Sequence, residues 1–155
     1  MNVNDSEVVL SILQDAGYAL CNSIGEADLI LVNTCSIRDN AEQRVLGRLD
    51  VFRLEKKKRK VLVGVLGCMA ERMKEKLLEN ESVDIVAGPD AYRDLPRLVA
   101  VAGKETKQIN TVLSHEETYG DISPVRMDSN GVSAFISIMR GCNNVCSYCV
   151  VPYTR

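Results

Sequence analysis

Cys142, Cys146 and Cys149 stand at C-x3-C-x2-C spacing within Gly141-Cys142-Asn143-Asn144-Val145-Cys146-Ser147-Tyr148-Cys149. A cubane iron–sulfur cluster has four irons, each needing one outside ligand, so three thiolates on one short loop leave one iron open. An open metal position takes substrate or cofactor, by the logic that separates catalytic from structural zinc sites. Two other chemistries use these thiols less completely. A zinc site would lack its fourth ligand, because no Cys or His follows Cys149. A redox pair at Cys146 and Cys149 should open a helix in a thioredoxin-like unit. The remaining cysteines, Cys21, Cys35 and Cys68, are scattered, which does not look like the disulfide frame of a secreted domain.

The elements that must carry these thiols follow from hydrophobic periodicity. Asn4 to Ala16 reads as a helix, with an Asn4–Glu7 capping box, an apolar stripe of Val9, Ile12, Leu13 and Ala16, and Gly17 as its stop. Leu29 to Asn33 is an apolar run of strand length, and from Ser36 a helix carries Ala41, Val45, Leu49 and Phe52 on one face. The unit recurs in Val61 to Leu66 followed by a helix from about Met69 to Glu79. It recurs again in Val83 to Ala87 followed by Asp90 to Ala102, which Pro96 interrupts after a short first turn. Ile109 to Val112 reads as a last short strand.

Strands buried on both faces and alternating with helices indicate an α/β fold, a parallel sheet flanked by helices. The first helix has no strand before it, so the chain reads as a fragment that starts inside a βα unit. Residues 113–131, polar and without periodicity, with Gly120 and Pro124, read as a linker. Val132 to Met139 looks like a fresh strand running into the cysteine loop, the opening of a second α/β domain cut off at Arg155. The expected organisation is therefore an α/β domain over 1–112, a linker over 113–131 and a truncated second domain over 132–155. Cys35 and Cys68 each follow a strand and precede a helix, which places both at the C-terminal edge of the sheet, where such folds bind ligands.

Composition narrows the function classes. The chain has 155 residues, with 19 Lys and Arg against 21 Asp and Glu, and a net charge of −2 argues against a generally basic nucleic-acid coat. With 46% hydrophobic and 26% charged residues, a packed core is expected rather than disorder. The apolar stretch Val61 to Ala70 is about half the ~20 residues a membrane span needs. The opening MNVNDSEVVL has neither a basic segment nor an apolar signal core, so a cytoplasmic location without a membrane partner is expected. The run Lys56-Lys57-Lys58-Arg59-Lys60 can contact phosphates or simply complement a helix C-terminus in solvent. His115 has no nearby partner for acid–base work, and Cys21 lies in a polar turn without an evident role.

The loop resembles the cluster-binding motif of the radical S-adenosylmethionine enzymes. The sequence around it, Ser137-Ile138-Met139-Arg140-Gly141-Cys142 through Val151-Pro152-Tyr153-Thr154-Arg155, looks like the methylthiotransferases of that superfamily. Asn33-Thr34-Cys35-Ser36-Ile37-Arg38, Gly67-Cys68-Met69-Ala70-Glu71-Arg72 and the block from Ala87 to Pro96 agree, so the resemblance covers nearly the whole chain. It is closest to the tRNA 2-methylthioadenosine branch of the family.

That resemblance implies a Rossmann- or flavodoxin-like N-terminal methylthiotransferase domain followed by the first strand and cluster loop of a radical S-adenosylmethionine α/β barrel. It implies two [4Fe-4S] clusters, one on Cys142, Cys146 and Cys149 that takes S-adenosylmethionine at its open iron. The other would use Cys35, Cys68 and a third cysteine that in the family lies just before the segment matching Met1 to Asn4, so this chain would lack one ligand. Tyr148 would lie against the adenine of S-adenosylmethionine, although an ordinary core aromatic is equally compatible with its residue type. The implied reaction is radical methylthiolation of carbon 2 of an isopentenylated adenosine beside the anticodon, with tRNA and an electron donor as partners. The protein would act as a monomer, and the fragment by itself would be inactive. A sister methylthiotransferase acting on a threonylcarbamoylated tRNA adenosine or a ribosomal-protein aspartate is the near alternative. A non-catalytic metal-binding or interaction module is the alternative of another class.

Overall fold

A computed structural model of the chain describes residues 2–35, 39–104, 106–114, 119–126, 132 and 134–155. The elements in chain order are α1 (Asn2–Asp15), β1 (Leu29–Thr34), α2 (Asp39–Lys58), β2 (Leu62–Gly67), α3 (Cys68–Met73), α4 (Glu75–Leu78), β3 (Ile85–Ala87), α5 (Leu95–Ala102) and β4 (Gln108–Asn110), with short 3-10 turns at Tyr92–Asp94 and Val151–Tyr153. The strands form one parallel sheet in the order β1-β2-β3-β4.

Alternation along the central strands sorts their side chains between two cores. Leu66, Ile85 and Ala87 face α1 and α5 and pack with Val9, Leu13, Leu95 and Leu98. Val63, Val65 and Val86 face the other side and pack with Val45, Leu49, Phe52 and Met69. Burial on both faces is why these strands are continuous apolar runs. The sheet flanked by helices agrees with the fold expected from the sequence, and among the described residues no helix is long and apolar enough to cross a membrane.

Several boundaries differ from the sequence reading for identifiable reasons. Helix α1 already includes Asn2, so Asn4 lies inside it and no Asn4–Glu7 capping box forms; Glu7 instead accepts from Arg126 Nη1 at 2.7 Å. Gly17 does end the helix, at φ +89°, with the Tyr18 N–H on Leu13 O at 2.9 Å. The helix expected over Met69–Glu79 is broken into α3 and α4 at Lys74, whose φ of 46° and ψ of −123° lie outside the helical region. Tyr92–Asp94 is a separate 3-10 turn, and Pro96 sits in the first turn of α5, where its missing N–H costs nothing.

The region after the sheet departs most. Within 113–131, Tyr119 is buried and Ile122 packs on the α1–α5 core, so this part is a docked segment rather than a free connection. The strand expected over Val132–Met139 does not form: residues 134–140 have no regular structure, and Phe135, Ile136 and Ile138 are exposed. A lone strand without neighbours has no ladder to satisfy its backbone. The helix start at Ser36, the blocks through Arg38 and the solitary His115 fall outside the described residues.

Candidate metal centre

The β1–β2 register brings two distant thiols to one place. Thr34 pairs with Gly67, so Cys35 and Cys68 emerge side by side from the C-terminal edge of the sheet. Gly67 has φ +88°, and a Cβ there would meet Asn33 Oδ1 and Thr34 O, both at 2.6 Å. Only glycine allows β2 to turn directly into α3 with Cys68 as its first residue. Cys68 is buried and Cys35 half-buried. Burial pushes the Cys68 thiol above its ordinary value, the neighbouring Cys35 adds to the rise, and a hydrogen bond with the Thr154 hydroxyl partly offsets it.

Thr154 belongs to the cysteine loop, so the loop returns to the pair. Gly141, at φ +75°, starts the loop, and a Cβ on it would lie 2.8 Å from Arg155 O. Residues 141–155 therefore close on themselves, with both ends of the stem in contact. The Cys149 N–H donates to Cys146 O at 3.0 Å, making a turn between the last two thiols of the motif. Cys142 and Cys149 are half-buried and Cys146 is exposed. Beyond them Val151–Tyr153 winds one 3-10 turn, Thr154 is buried, and Arg155 forms an ion pair with the buried Asp5 of α1.

Among the described residues, no group of three or more His, Cys, Asp or Glu side chains stands close enough to hold a metal ion. What the chain provides is a matched donor set: a neighbouring thiol pair at the sheet edge, and three thiols within one closed loop that docks beside it. Such soft, all-sulfur donors suit iron–sulfur clusters or zinc rather than hard cations. Tyr148 is 91% exposed. Cys21 is exposed and its thiol donates only to Ser23 O at 3.4 Å.

Other residues at this edge, although within the blocks quoted above, were given no individual role from the sequence. Arg140 reaches Asp90 at 2.9 Å and Pro89 O at 3.0 Å. Its guanidinium carbon lies 4.4 Å from the centre of the Tyr119 ring. Glu71 is 1% exposed and keeps Oε2 without a hydrogen-bond partner, packed against Gly88. These partners are separated by up to 51 positions, beyond any local pattern. The basic run is largely committed to the fold: Lys56 binds Asp84 at 2.6 Å, Lys58 binds Glu55 at 2.8 Å, and Arg59 and Lys60 reach the carbonyls of Ile24 and Gly103.

Residues 1–88 match the family described as uncharacterized protein family UPF0004. The whole chain is 61% identical over 157 residues to the tRNA-2-methylthio-N(6)-dimethylallyladenosine synthase of Amoebophilus asiaticus, covering 32% of that protein. It is 57% identical over 159 residues to the protein of the same name from Porphyromonas gingivalis, covering 34%. With the one from Flavobacterium johnsoniae it shares 59% over 157 residues, covering 33%. In each case all of this chain is matched, and it spans about a third of the length of these curated relatives.

Proposed function

The chain belongs to family UPF0004, and from that membership we propose that the protein of which these residues are part is a tRNA methylthiotransferase. Its substrate is an adenosine bearing a dimethylallyl (isopentenyl) group beside the anticodon, and it places a methylthio group on carbon 2 of the ring. The observation that carries this reading is identity of 56–61% to synthases of that name along the entire chain. The sister substrates, a threonylcarbamoylated adenosine and a ribosomal-protein aspartate, appear in none of those relatives' names.

In this reading Cys142, Cys146 and Cys149 hold one [4Fe-4S] cluster, and Cys35 and Cys68 contribute to a second. The clusters and S-adenosylmethionine supply the radical and sulfur chemistry that an unactivated ring C–H requires. The chain's own residues supply position. Gly67 makes the sharp turn that puts Cys68 at the head of α3, and the β1–β2 ladder keeps Cys35 beside it. Met69 and Ala70, both fully buried, anchor that turn in the core and keep water from its inner side. The Thr154 hydroxyl donates to Val150 O at 3.3 Å and so braces the 3-10 turn that follows the loop. Tyr148, exposed between Cys146 and Cys149, offers a ring face to the adenine of S-adenosylmethionine. An electron donor and tRNA are the partners, and the 155 residues alone form no product.

The test uses the full-length protein, reconstituted with iron and sulfide without oxygen and given dimethylallylated tRNA, S-adenosylmethionine and reductant. Mass spectrometry of digested nucleosides should show the methylthio product, lost in Cys35→Ala, Cys68→Ala and Cys142→Ala. Deoxyadenosine without a modified nucleoside would overturn the substrate. Neither product, from protein verified to hold both clusters, would overturn the enzyme.

A further inference from the structure

The stem of the cysteine loop is pinned to the first domain at both ends, and the first pin is an ion pair with no counterpart in the motif. Arg140 stands two residues before Cys142. Its Nη2 donates to Asp90 Oδ1 at 2.9 Å and to Pro89 O at 3.0 Å, with side-chain exposures of 18% for Arg140 and 8% for Asp90. The other carboxylate oxygen of Asp90 accepts from the Ser114 N–H at 3.0 Å, so both oxygens are engaged.

The guanidinium also stacks on Tyr119, which is itself fixed. The Tyr119 ring stacks on buried Tyr92 with centroids 5.6 Å apart, its hydroxyl accepts from the Tyr92 N–H at 2.8 Å, and it donates to Pro89 O at 3.0 Å. Arg140 thus meets a carboxylate, a carbonyl and a ring face that are all held by other contacts. A planar fork over an aromatic face is a geometry that arginine supports and lysine does not. At the far end of the loop, Arg155 pairs with Asp5.

We infer that Arg140 and Asp90 form a positioning pair that fixes the cysteine loop at the Cys35–Cys68 edge of the sheet, so that its loss uncouples deoxyadenosine formation from the methylthiolated product without abolishing the former. The inference rests on the two-site reading proposed above. The pair touches no thiol of the motif directly in the contacts described, and it acts through the loop it anchors. Breaking a half-buried charge pair leaves one charge without its partner, and misplacing reacting groups by about 1 Å costs about a hundredfold.

The test compares full-length wild type with Arg140→Ala, Arg140→Lys and Asp90→Asn. Amide hydrogen exchange should rise in peptides covering 141–155 in the Ala and Asn variants while peptides of α1 and β2 stay unchanged. In the same preparations, with iron content equal to wild type, the ratio of methylthiolated nucleoside to deoxyadenosine should fall about ten- to a hundredfold. Arg140→Lys should fall between, since it keeps the charge and loses the fork. Unchanged exchange in 141–155, or a drop in both products with the ratio constant, would overturn the inference. If wild type itself gives neither product, the functional reading fails instead, and the exchange experiment still judges the positioning pair.

Discussion

Glu71 shows how a single residue can work against the fold that contains it. Its carboxylate is 1% exposed, one oxygen lies 3.2 Å from Lys74 Nζ, and the other has no hydrogen-bond partner. Burial raises its pKa above the usual carboxylate range, Lys74 pulls it down, and Asp90 adds a smaller rise. The folded chain therefore binds this proton more tightly than the unfolded chain, and stability from this group is full below the ordinary carboxyl pKa and declines as pH rises through the folded value. Glu71→Gln keeps the shape without the charge. It should be more stable than wild type at pH 8, with the difference shrinking toward pH 4, as read by urea midpoints across pH. A variant less stable at pH 8 would show that the Lys74 pairing outweighs desolvation. Nothing in the sequence marked Glu71 as buried, because an acidic residue in an amphipathic helix is ordinarily taken for its solvent face.

At the scale of elements, the break between α3 and α4 is the clearest departure from periodicity. Leu77 is buried as a continuous helix would require, yet the chain kinks at Lys74, the one non-glycine residue with positive φ among those described. The Lys74 N–H still reaches Ala70 O at 2.9 Å, and the Leu77 N–H then turns back to Lys74 O at 3.1 Å. Such a conformation costs a side-chain-bearing residue about 1–3 kcal/mol, while the same Lys74 is the partner of the buried Glu71 carboxylate. In a Glu71→Gln background, where no buried carboxylate is left without its partner, Lys74→Gly should therefore raise stability by about 1 kcal/mol, seen as a higher denaturant midpoint at unchanged slope. A lower midpoint would refute the strain. The strands were legible because burial on both faces leaves an uninterrupted apolar run, whereas the kink depends on how α4 must reach β3.

For the whole molecule, the informative feature is how residues 119–126 and 134–155 attach to α1. Ser11 Oγ accepts from the Val125 N–H at 2.7 Å and lies 3.2 Å from Ser123 O, and Arg126 pairs with Glu7 at 2.7 Å. Glu7 and Ser11, one turn apart on α1, thus form a polar dock for residues 123–126, and Asp5 on another side of the helix takes Arg155, which accounts for the burial of all three in a helix otherwise read only by its apolar stripe. Ser11→Ala leaves the Val125 N–H without its acceptor and should cost about 1–3 kcal/mol locally. The expected result is faster amide exchange in 119–126 with α5 and the sheet unaffected. Equal exchange would mean that the other contacts of the segment, those of Tyr119, Ile122 and Arg126, are enough to hold it.

The amino-acid sequence by itself determined the alternation of strands and helices, the position of Cys35 and Cys68 at strand ends, and the three-thiol loop, because each is written in local periodicity or spacing. Only the tertiary structure decided that Cys35 and Cys68 are neighbours, since that follows from the Thr34–Gly67 register across more than thirty residues. It alone decided that Arg140 meets Asp90, that α1 has a buried polar face, and that 134–140 forms no strand. The physical reason is the same in each case: ladder register, buried ion pairs and strand formation depend on partners distant in the chain, and no window of sequence contains both members.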